Sequence, residues 1–200
     1  MKLVLGIGNP GHRYARTRHN VGFRVVDAWA ASRGLAFRKV DELALEASEG
    51  DRVTLVKPLT YVNRSGRVAR TRLDRLGLGP EDMLVVVDDV HLPFGRLRLK
   101  PRGSSGGHNG LKDVTAALGT DDWPRLRIGV GGPEGTDLVE HVLGPFGPEE
   151  ERDIGAILDR AVETVGAFVE GRSLEELMAG CNRVIDVARG GGGAGVQKEP

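Results

Sequence analysis

Short apolar runs that alternate with helical patterns restrict the fold of this chain more than any other feature of its sequence. Residues 3–7, 53–56 and 84–87 are apolar and bounded by turn residues, which is typical of buried strands. Asn20 can cap a helix that ends before Gly34, because apolar side chains recur between them at helical spacing. Strands interleaved with helices predict an α/β sheet. Further helices are predicted at residues 62–76, 110–118, 148–170 and 174–188, and further strands at 96–100 and 126–130.

The size and composition of the chain favour one compact domain. Of its 200 residues, 40% are hydrophobic and 28% are charged, which suits a single core. The lone cysteine, Cys181, cannot form an internal disulfide, and the first residues lack signal-peptide architecture, so we expect a cytoplasmic protein. No apolar run approaches the roughly 20 residues that span a bilayer. Residues 190–200 are glycine-rich and are predicted to be a disordered tail after a domain of residues 1–189.

Positive charge is concentrated in the middle of the chain, although the formal net charge is zero. Residues 134–176, by contrast, are rich in acidic side chains. Because the local field rather than the net charge steers a polyanion, this uneven distribution is compatible with a nucleic-acid partner. The basic side chains are Arg96, Arg98, Lys100, Arg102, Lys112, Arg125 and Arg127.

A histidine, His19, stands immediately before the predicted helix cap Asn20. A lone histidine at such a position is ordinarily a structural cap or a surface residue, and that alternative stays open here. An imidazole pKa near 6.5 nevertheless suits a general base at neutral pH. A helix N-terminus disfavours the imidazolium, so the position predicts a neutral ring that can take a proton from water.

Carboxylates follow the predicted strand 84–87. Asp88 could be only a turn residue, or Asp88, Asp89 and His91 could bind a metal ion. The remaining histidines do not show the spacing of metal ligands, which weakens the metal alternative. We favour a third role, in which Asp88 accepts a hydrogen bond from a histidine ring, fixes its tautomer and stabilises the imidazolium.

A Gly-x-Gly-x-x-Gly pattern at residues 6–11 has the spacing of a dinucleotide-binding turn. Pro10 lacks the N–H that such a turn would offer to a pyrophosphate, and no helical pattern begins before Asn20. The alternative is a rigid turn at the carboxyl end of a strand, where open α/β sheets place their sites. Such a turn would present the amide of Asn9.

Residues 57–66 pass from a strand into a helix. Thr60 is predicted to cap this helix, with Tyr61 and Val62 in the core. Asn63 would then lie near the same sheet edge as Asn9, where it could bind a substrate.

A glycine-rich loop at residues 103–113 leads into another helix. Ser104 and Ser105 lack the Gly-x-Ser-x-Gly elbow of a serine nucleophile, so serine catalysis is disfavoured. We expect the loop to close over a substrate, with Asn109 offering an amide at the helix start. His108 is assigned a structural hydrogen-bonding role.

In their order and spacing, these motifs resemble those of bacterial-type peptidyl-tRNA hydrolases. The matching segments are 6–11, 17–20, 57–58, 63–66, 88–93, 106–113 and 125–131, within a resemblance that covers about residues 3–188. It implies a single globular α/β domain of the phosphorylase/hydrolase-like type, with helices on both faces of a twisted, mixed but largely parallel sheet. It also implies hydrolysis of the ester between a peptide and the tRNA 3′ ribose. No metal, cofactor, membrane or obligate protein partner is implied, and a monomer is expected.

The same resemblance assigns roles to single residues. His19 matches the catalytic histidine, Asp88 the aspartate that orients it, and Asn109 an amide that holds the attacking water. Asn9 and Asn63 match further amides that hold the peptide and the tRNA end. The remaining predicted tRNA contacts are Tyr14, Tyr61, Arg98, Lys100 and Arg127, of which the last three would bind acceptor-stem phosphates.

The sequence departs from the family pattern beside Asp88 and in the glycine-rich loop. Val87 precedes Asp88 where a histidine is common, and Val90-His91 replaces a Leu-Asp step, which affects the electrostatics expected around His19. Residues 101–105 contain less glycine than is usual, so reduced loop mobility is expected.

Two alternative functions stay open: a non-catalytic RNA-binding protein of the kind that acts in splicing, and a dinucleotide-dependent oxidoreductase.

Overall fold

A computed structural model describes residues 1–133 and 135–182, which form one sheet covered by helices on both faces. The order of the strands across the sheet is β2-β3-β4-β1-β5-β7-β6. The inner pairs β4-β1, β1-β5 and β5-β7 are parallel, while β2, β3 and β6 are antiparallel to their neighbours. The predicted mixed, largely parallel α/β sheet is confirmed. The strands are β1 (Lys2–Gly6), β2 (Arg38–Lys39), β3 (Ala44–Glu49), β4 (Val53–Pro58), β5 (Met83–Asp89), β6 (Leu97–Lys100) and β7 (Arg125–Gly129).

Two hydrophobic clusters lie on opposite faces of the sheet. Successive residues of β1 alternate between them, so that Val4 belongs to one cluster while Leu3 and Leu5 belong to the other. Trp29 of α1 packs in the first cluster together with residues of α5 and α6, and Trp123 packs in the second with residues of α2 and α3. The helices are α1 (Val21–Ser32), α2 (Ser65–Leu76), α3 (Asn109–Leu118), α4 (Leu138–Leu143), α5 (Pro148–Val169) and α6 (Leu174–Cys181).

Several boundaries differ from the sequence-based expectation. The helix predicted at 62–76 begins as a 3-10 turn, Val62–Arg64, and becomes α-helical only at Ser65. The hairpin of β2 and β3 and the short helix α4 were not predicted. The end of the helix predicted at 174–188, the domain boundary at 189 and the tail 190–200 fall outside the described residues. No helix in the described part of the chain combines the length and apolar character needed to cross a membrane.

The parallel strands β1, β5 and β7 all end at one edge of the sheet. The carboxyl ends of β1, β5 and β7 lie side by side, because Gly6 is in register with Val86 and Asp88 with Ile128. Open α/β sheets bind their ligands at this edge.

Candidate active site

A cavity of about 370 Å³ opens at the carboxyl ends of β1 and β5. His19, Asp88 and three asparagines that the sequence singled out all line it. The three asparagines are Asn9, Asn63 and Asn109. Residues about 100 positions apart in the chain are therefore brought together where the topology places a binding site.

His19 and Asp88 form a hydrogen-bonded pair at the floor of this cavity. His19 lies in a 3-10 turn, Arg18–Asn20, that leads directly into α1. Its Nδ1 is 2.9 Å from Asp88 Oδ1 and 3.0 Å from Oδ2, so an Nδ1–H can donate to the carboxylate. The Asp88 side chain is 1% exposed and the His19 side chain is 14% exposed. This geometry leaves the Nε2 nitrogen of His19 for other partners.

The electrostatics of the pair differ from those expected for a histidine beside a helix cap. Burial lowers the pKa of His19, but the charge and hydrogen bond of Asp88 outweigh it, so this pKa lies above the ordinary value of 6.5. The net shift is therefore opposite to the lowering of the pKa that was expected from a helix N-terminus, because Asp88 favours the imidazolium. Burial raises the pKa of Asp88, but His108 and His19 outweigh burial and hold that pKa below its usual range. Asp88 is accordingly a carboxylate at neutral pH.

A second histidine, His108, also contacts Asp88. Its Nε2 lies 3.2 Å from Asp88 Oδ1, and its Nδ1 accepts a hydrogen bond of 3.3 Å from the backbone N–H of Leu111. Because Nδ1 is the acceptor, Nε2 carries the hydrogen that Asp88 receives. His108 caps α3 and reaches Asp88 from there. The sequence predicted a structural hydrogen bond for His108 but gave no partner.

Among the described residues, one group of three side chains is close enough together to bind a metal ion: His19, Asp88 and His108. The ring nitrogens that face Asp88 are already hydrogen-bonded to it. The alternative cluster of Asp88, Asp89 and His91 does not form. Asp89 instead receives hydrogen bonds from the Arg127 guanidinium and the His91 backbone N–H, at 3.0 and 2.9 Å.

Asn20 organises the turn that carries Asn9, rather than capping α1 with its side chain. Its Oδ1 accepts from the backbone N–H of Asn9 at 2.8 Å, and its Nδ2 donates to the carbonyl of Asn9 at 2.9 Å. The Oδ1 of Asn9 accepts from the Val62 N–H at 3.1 Å. This last bond fixes which end of the Asn9 amide is the acceptor and leaves its NH₂ group as a donor for an occupant of the cavity.

Two glycines of residues 6–11, Gly6 and Gly8, permit a close approach of α1. A Cβ on Gly6 would stand 2.6 Å from the Gly22 carbonyl oxygen, and one on Gly8 would stand 2.9 Å from the Phe23 ring. β1 is followed by a loop with the short 3-10 turn His12–Tyr14, not by an α-helix. The arrangement lacks the helix N-terminus on which a dinucleotide pyrophosphate rests.

The two tyrosines predicted as tRNA contacts lie in different surroundings. Tyr61 lines the cavity and is 53% exposed, so its predicted place in the core is wrong, whereas Val62 is in the core. Thr60 donates its hydroxyl to the Arg64 carbonyl and does not cap the helix. Tyr14 is half-buried outside the residues that line the cavity, with the Arg13 guanidinium 4.5 Å from its ring centre.

Of the three side chains predicted to bind acceptor-stem phosphates, one is buried and two are exposed. Arg127 is 6% exposed; it pairs with Asp89 and donates to the Ser104 carbonyl at 2.7 Å. Its expected role as a phosphate ligand does not fit this burial, and its observed contacts fasten the glycine-rich loop to β5. Arg98 and Lys100 are exposed, because alternate residues of β6 face the core.

Helix α4 supplies an apolar wall of the cavity that the sequence did not reveal. Leu138, Val139, Val142 and Leu143 line the cavity together with Val90. The sequence signal was a pair of apolar doublets, 138–139 and 142–143, within the acidic segment. These doublets do not predict a helix, because a helix of six residues is too short for its periodicity to be recognised.

Comparisons with known proteins give relatives of nearly the whole chain from a single family. A family model described as peptidyl-tRNA hydrolase matches residues 3–188. Peptidyl-tRNA hydrolase of Symbiobacterium thermophilum is 46% identical over 188 residues, covering 91% of this chain and 97% of that protein. The Aquifex aeolicus protein of the same name is 43% identical over 187 residues, covering 92% and 97%. The crystal structure of peptidyl-tRNA hydrolase from Acinetobacter baumannii is similar with a TM-score of 0.84 and 33% identity, covering 91% of this chain and 94% of that one.

Proposed function

The chain belongs to the peptidyl-tRNA hydrolase family, and we propose that it hydrolyses the ester joining a peptide to the 3′ ribose of tRNA, with His19 as the general base. The observation that carries this proposal is the His19–Asp88 pair at 2.9 Å, in a cavity lined by amide side chains. Cleavage releases the peptide as a carboxylate and returns a tRNA with a free 3′ hydroxyl.

The geometry defines the tautomer that the reaction needs. With Nδ1–H donating to Asp88, the lone pair of His19 is on Nε2, where it accepts a proton from water. The resulting hydroxide attacks the ester carbonyl, the tetrahedral intermediate collapses, and the ribose oxygen leaves with the proton held by the imidazolium. Asp88 stabilises that imidazolium, and His108 also donates to the carboxylate, at Oδ1.

The amides around His19 are suited to the charge that develops on the carbonyl oxygen. We assign Asn109 to the reacting ester, as an oxyanion or water contact, because it begins α3 and lines the cavity. The NH₂ of Asn9 is assigned to a peptide carbonyl, and Asn63 and Tyr61 to the 3′ end of the tRNA. Tyr14 is assigned to the tRNA outside the cavity.

One chain supplies every residue of the proposed reaction, so we propose that a monomer is the active unit, without a metal or cofactor. We expect it to act in the cytoplasm, because translation there generates the substrate.

Selectivity for a blocked amino group tests the proposed function. We expect the protein to cleave N-acetyl-leucyl-tRNA at least about tenfold faster than leucyl-tRNA, because the apolar α4 wall disfavours a buried ammonium group. Both substrates carry radiolabelled leucine, and the measurement is the rate at which N-acetyl-leucine or leucine is released at equal protein and tRNA concentrations. Equal cleavage of both substrates, or tRNA binding without any cleavage, would contradict the proposal. The second result would favour a non-catalytic RNA-binding protein.

Salt dependence tests the assignment of Arg98 and Lys100 to acceptor-stem phosphates. We expect Arg98→Ala and Lys100→Ala each to raise KM more than it lowers kcat. Each should also reduce, by about one, the steepness with which the logarithm of the tRNA binding constant falls with the logarithm of the salt concentration. Arg52→Ala is the matched control, since Arg52 is an exposed arginine in the turn between β3 and β4, distant from β6 in the strand order. A salt slope identical to that of the unmodified protein would remove the tested residue from the tRNA-binding surface.

A further inference from the structure

Helix α4 forms a wall of the active-site cavity, but it has no side chain buried in the core of the protein. None of its six residues is buried, and Leu138 and Val139 are 49% and 60% exposed. A second cavity of about 630 Å³ lies beside α4, lined by Glu140 and His141 of the helix together with Arg18 and Glu150. The position of α4 therefore depends on polar contacts rather than on core packing.

His141 Nε2 contacts the Gly131 carbonyl at 2.9 Å, but residues 141–145, at the end of α4 and just after it, receive three hydrogen bonds from one residue, Arg18. Its Nη1 donates to the carbonyl of Pro145 at 2.7 Å and to that of His141 at 3.3 Å. Its Nη2 donates to Glu150 Oε2 at 2.6 Å. The backbone N–H of Arg18 donates to the Gly144 carbonyl at 3.0 Å. Arg18 thus joins the last turn of α4 to the first turn of α5, and Thr17 adds an antiparallel bridge to Pro145.

Arg18 is also the residue before His19. Both lie in the 3-10 turn Arg18–Asn20, and the backbone N–H of Arg18 is bonded to the Gly144 carbonyl, so the backbone beside His19 is tied to the end of α4. A displacement of α4 would therefore move the Arg18 guanidinium and, with it, the turn that aims His19 at the ester. A base displaced by about 1 Å can lose about 10²-fold in rate.

We propose that Arg18 is a positioning residue that ties the apolar wall of α4 to the turn carrying His19, and that the enzyme thereby favours peptides ending in a large apolar residue. This inference rests on the proposed function, because the peptide is what fills the cavity. A large apolar side chain contacts the α4 wall, holds α4 in place and, through Arg18, holds His19 in its reactive position. A peptide ending in glycine has no side chain to make that contact.

The test compares two substrates in three variants. N-acetyl-leucyl-tRNA and N-acetyl-glycyl-tRNA are assayed with the unmodified protein, Arg18→Lys and Arg18→Ala. We expect Arg18→Ala to lower kcat for the leucyl substrate by about ten- to a hundredfold with little change in KM, and to lower kcat for the glycyl substrate much less. Lysine keeps the charge but not the three-way contact, so Arg18→Lys should fall between.

Arg16→Ala is the matched control, because Arg16 is an exposed arginine two residues away that pairs with Glu151 at 2.9 Å. We expect its kinetics to match those of the unmodified protein. Melting temperatures are measured for every variant, and Arg18→Lys carries the test if Arg18→Ala does not fold.

A double-mutant cycle with Leu138→Ala separates positioning from a merely structural role. If Arg18 acts through the α4 wall, its loss should matter less once the Leu138 side chain is absent, so the two effects on kcat should not add. Additive effects, or equal losses with both substrates, would overturn the inference. Failure of the unmodified protein to cleave either substrate would instead contradict the proposed function.

Discussion

Replacement of His19 by alanine is expected to lower kcat by about 10²- to 10⁴-fold, which is the range that a general base contributes. The loss should fall on kcat rather than on tRNA affinity, because the methyl group removes Nε2 but leaves the amides and the exposed cations in place. Single-turnover hydrolysis of N-acetyl-leucyl-tRNA and equilibrium binding of the same tRNA measure the two quantities separately.

His12→Ala is the control for this experiment, because His12 is an exposed histidine in the turn before His19. It should leave kcat essentially unchanged. The buried Asp88 loses one of its two histidine partners in His19→Ala, so the melting temperature must be compared as well. A folded His19→Ala variant with near-normal hydrolysis would show that another group activates the water.

The features of the fold that follow from local patterns could be predicted from the sequence. The apolar runs that became β1, β4 and β5 are buried parallel strands, which gives a continuous apolar pattern. The carboxyl ends of parallel strands share one edge, so Asn9, which follows β1, and Asp88, near the end of β5, lie at the same edge. The placement of Asn9 and Asp88 in one cavity is a consequence of this topology.

The features that depend on contacts distant in sequence could not be predicted. Whether Arg127 faces solvent or Asp89 depends on the register of β5 with β7, which the residues themselves do not encode locally. Asn20 has the sequence context of a helix cap, yet its amide pairs with the backbone of Asn9 because Gly6 and Gly8 let α1 approach so closely. In both cases contacts between distant segments decide the role of the side chain, and the local sequence alone would predict a different one.

Conversion of Asp88 to asparagine tests the second half of the proposed mechanism, with an expected loss in kcat of up to about 10⁴-fold. That is the loss that follows when the orienting carboxylate of a Ser-His-Asp triad becomes an amide. The side chain keeps its size, but its NH₂ can donate to Nδ1 of His19. The proton of the neutral imidazole then moves to Nε2, and no lone pair remains there to accept a proton from water.

The pH dependence of the residual activity separates this account from a loss of folding. In the unmodified protein the His19 pKa lies above 6.5 because Asp88 outweighs burial, so kcat/KM should fall as the pH drops through that raised value. In Asp88→Asn the carboxylate is gone while burial still lowers the pKa, so the rising limb should move to lower pH. Asp82→Asn, which alters only a surface pair with Lys2, is the control and should leave the limb in place. A limb that did not move in Asp88→Asn would mean that it reports a group other than His19, and the assignment of the base would then rest on His19→Ala alone.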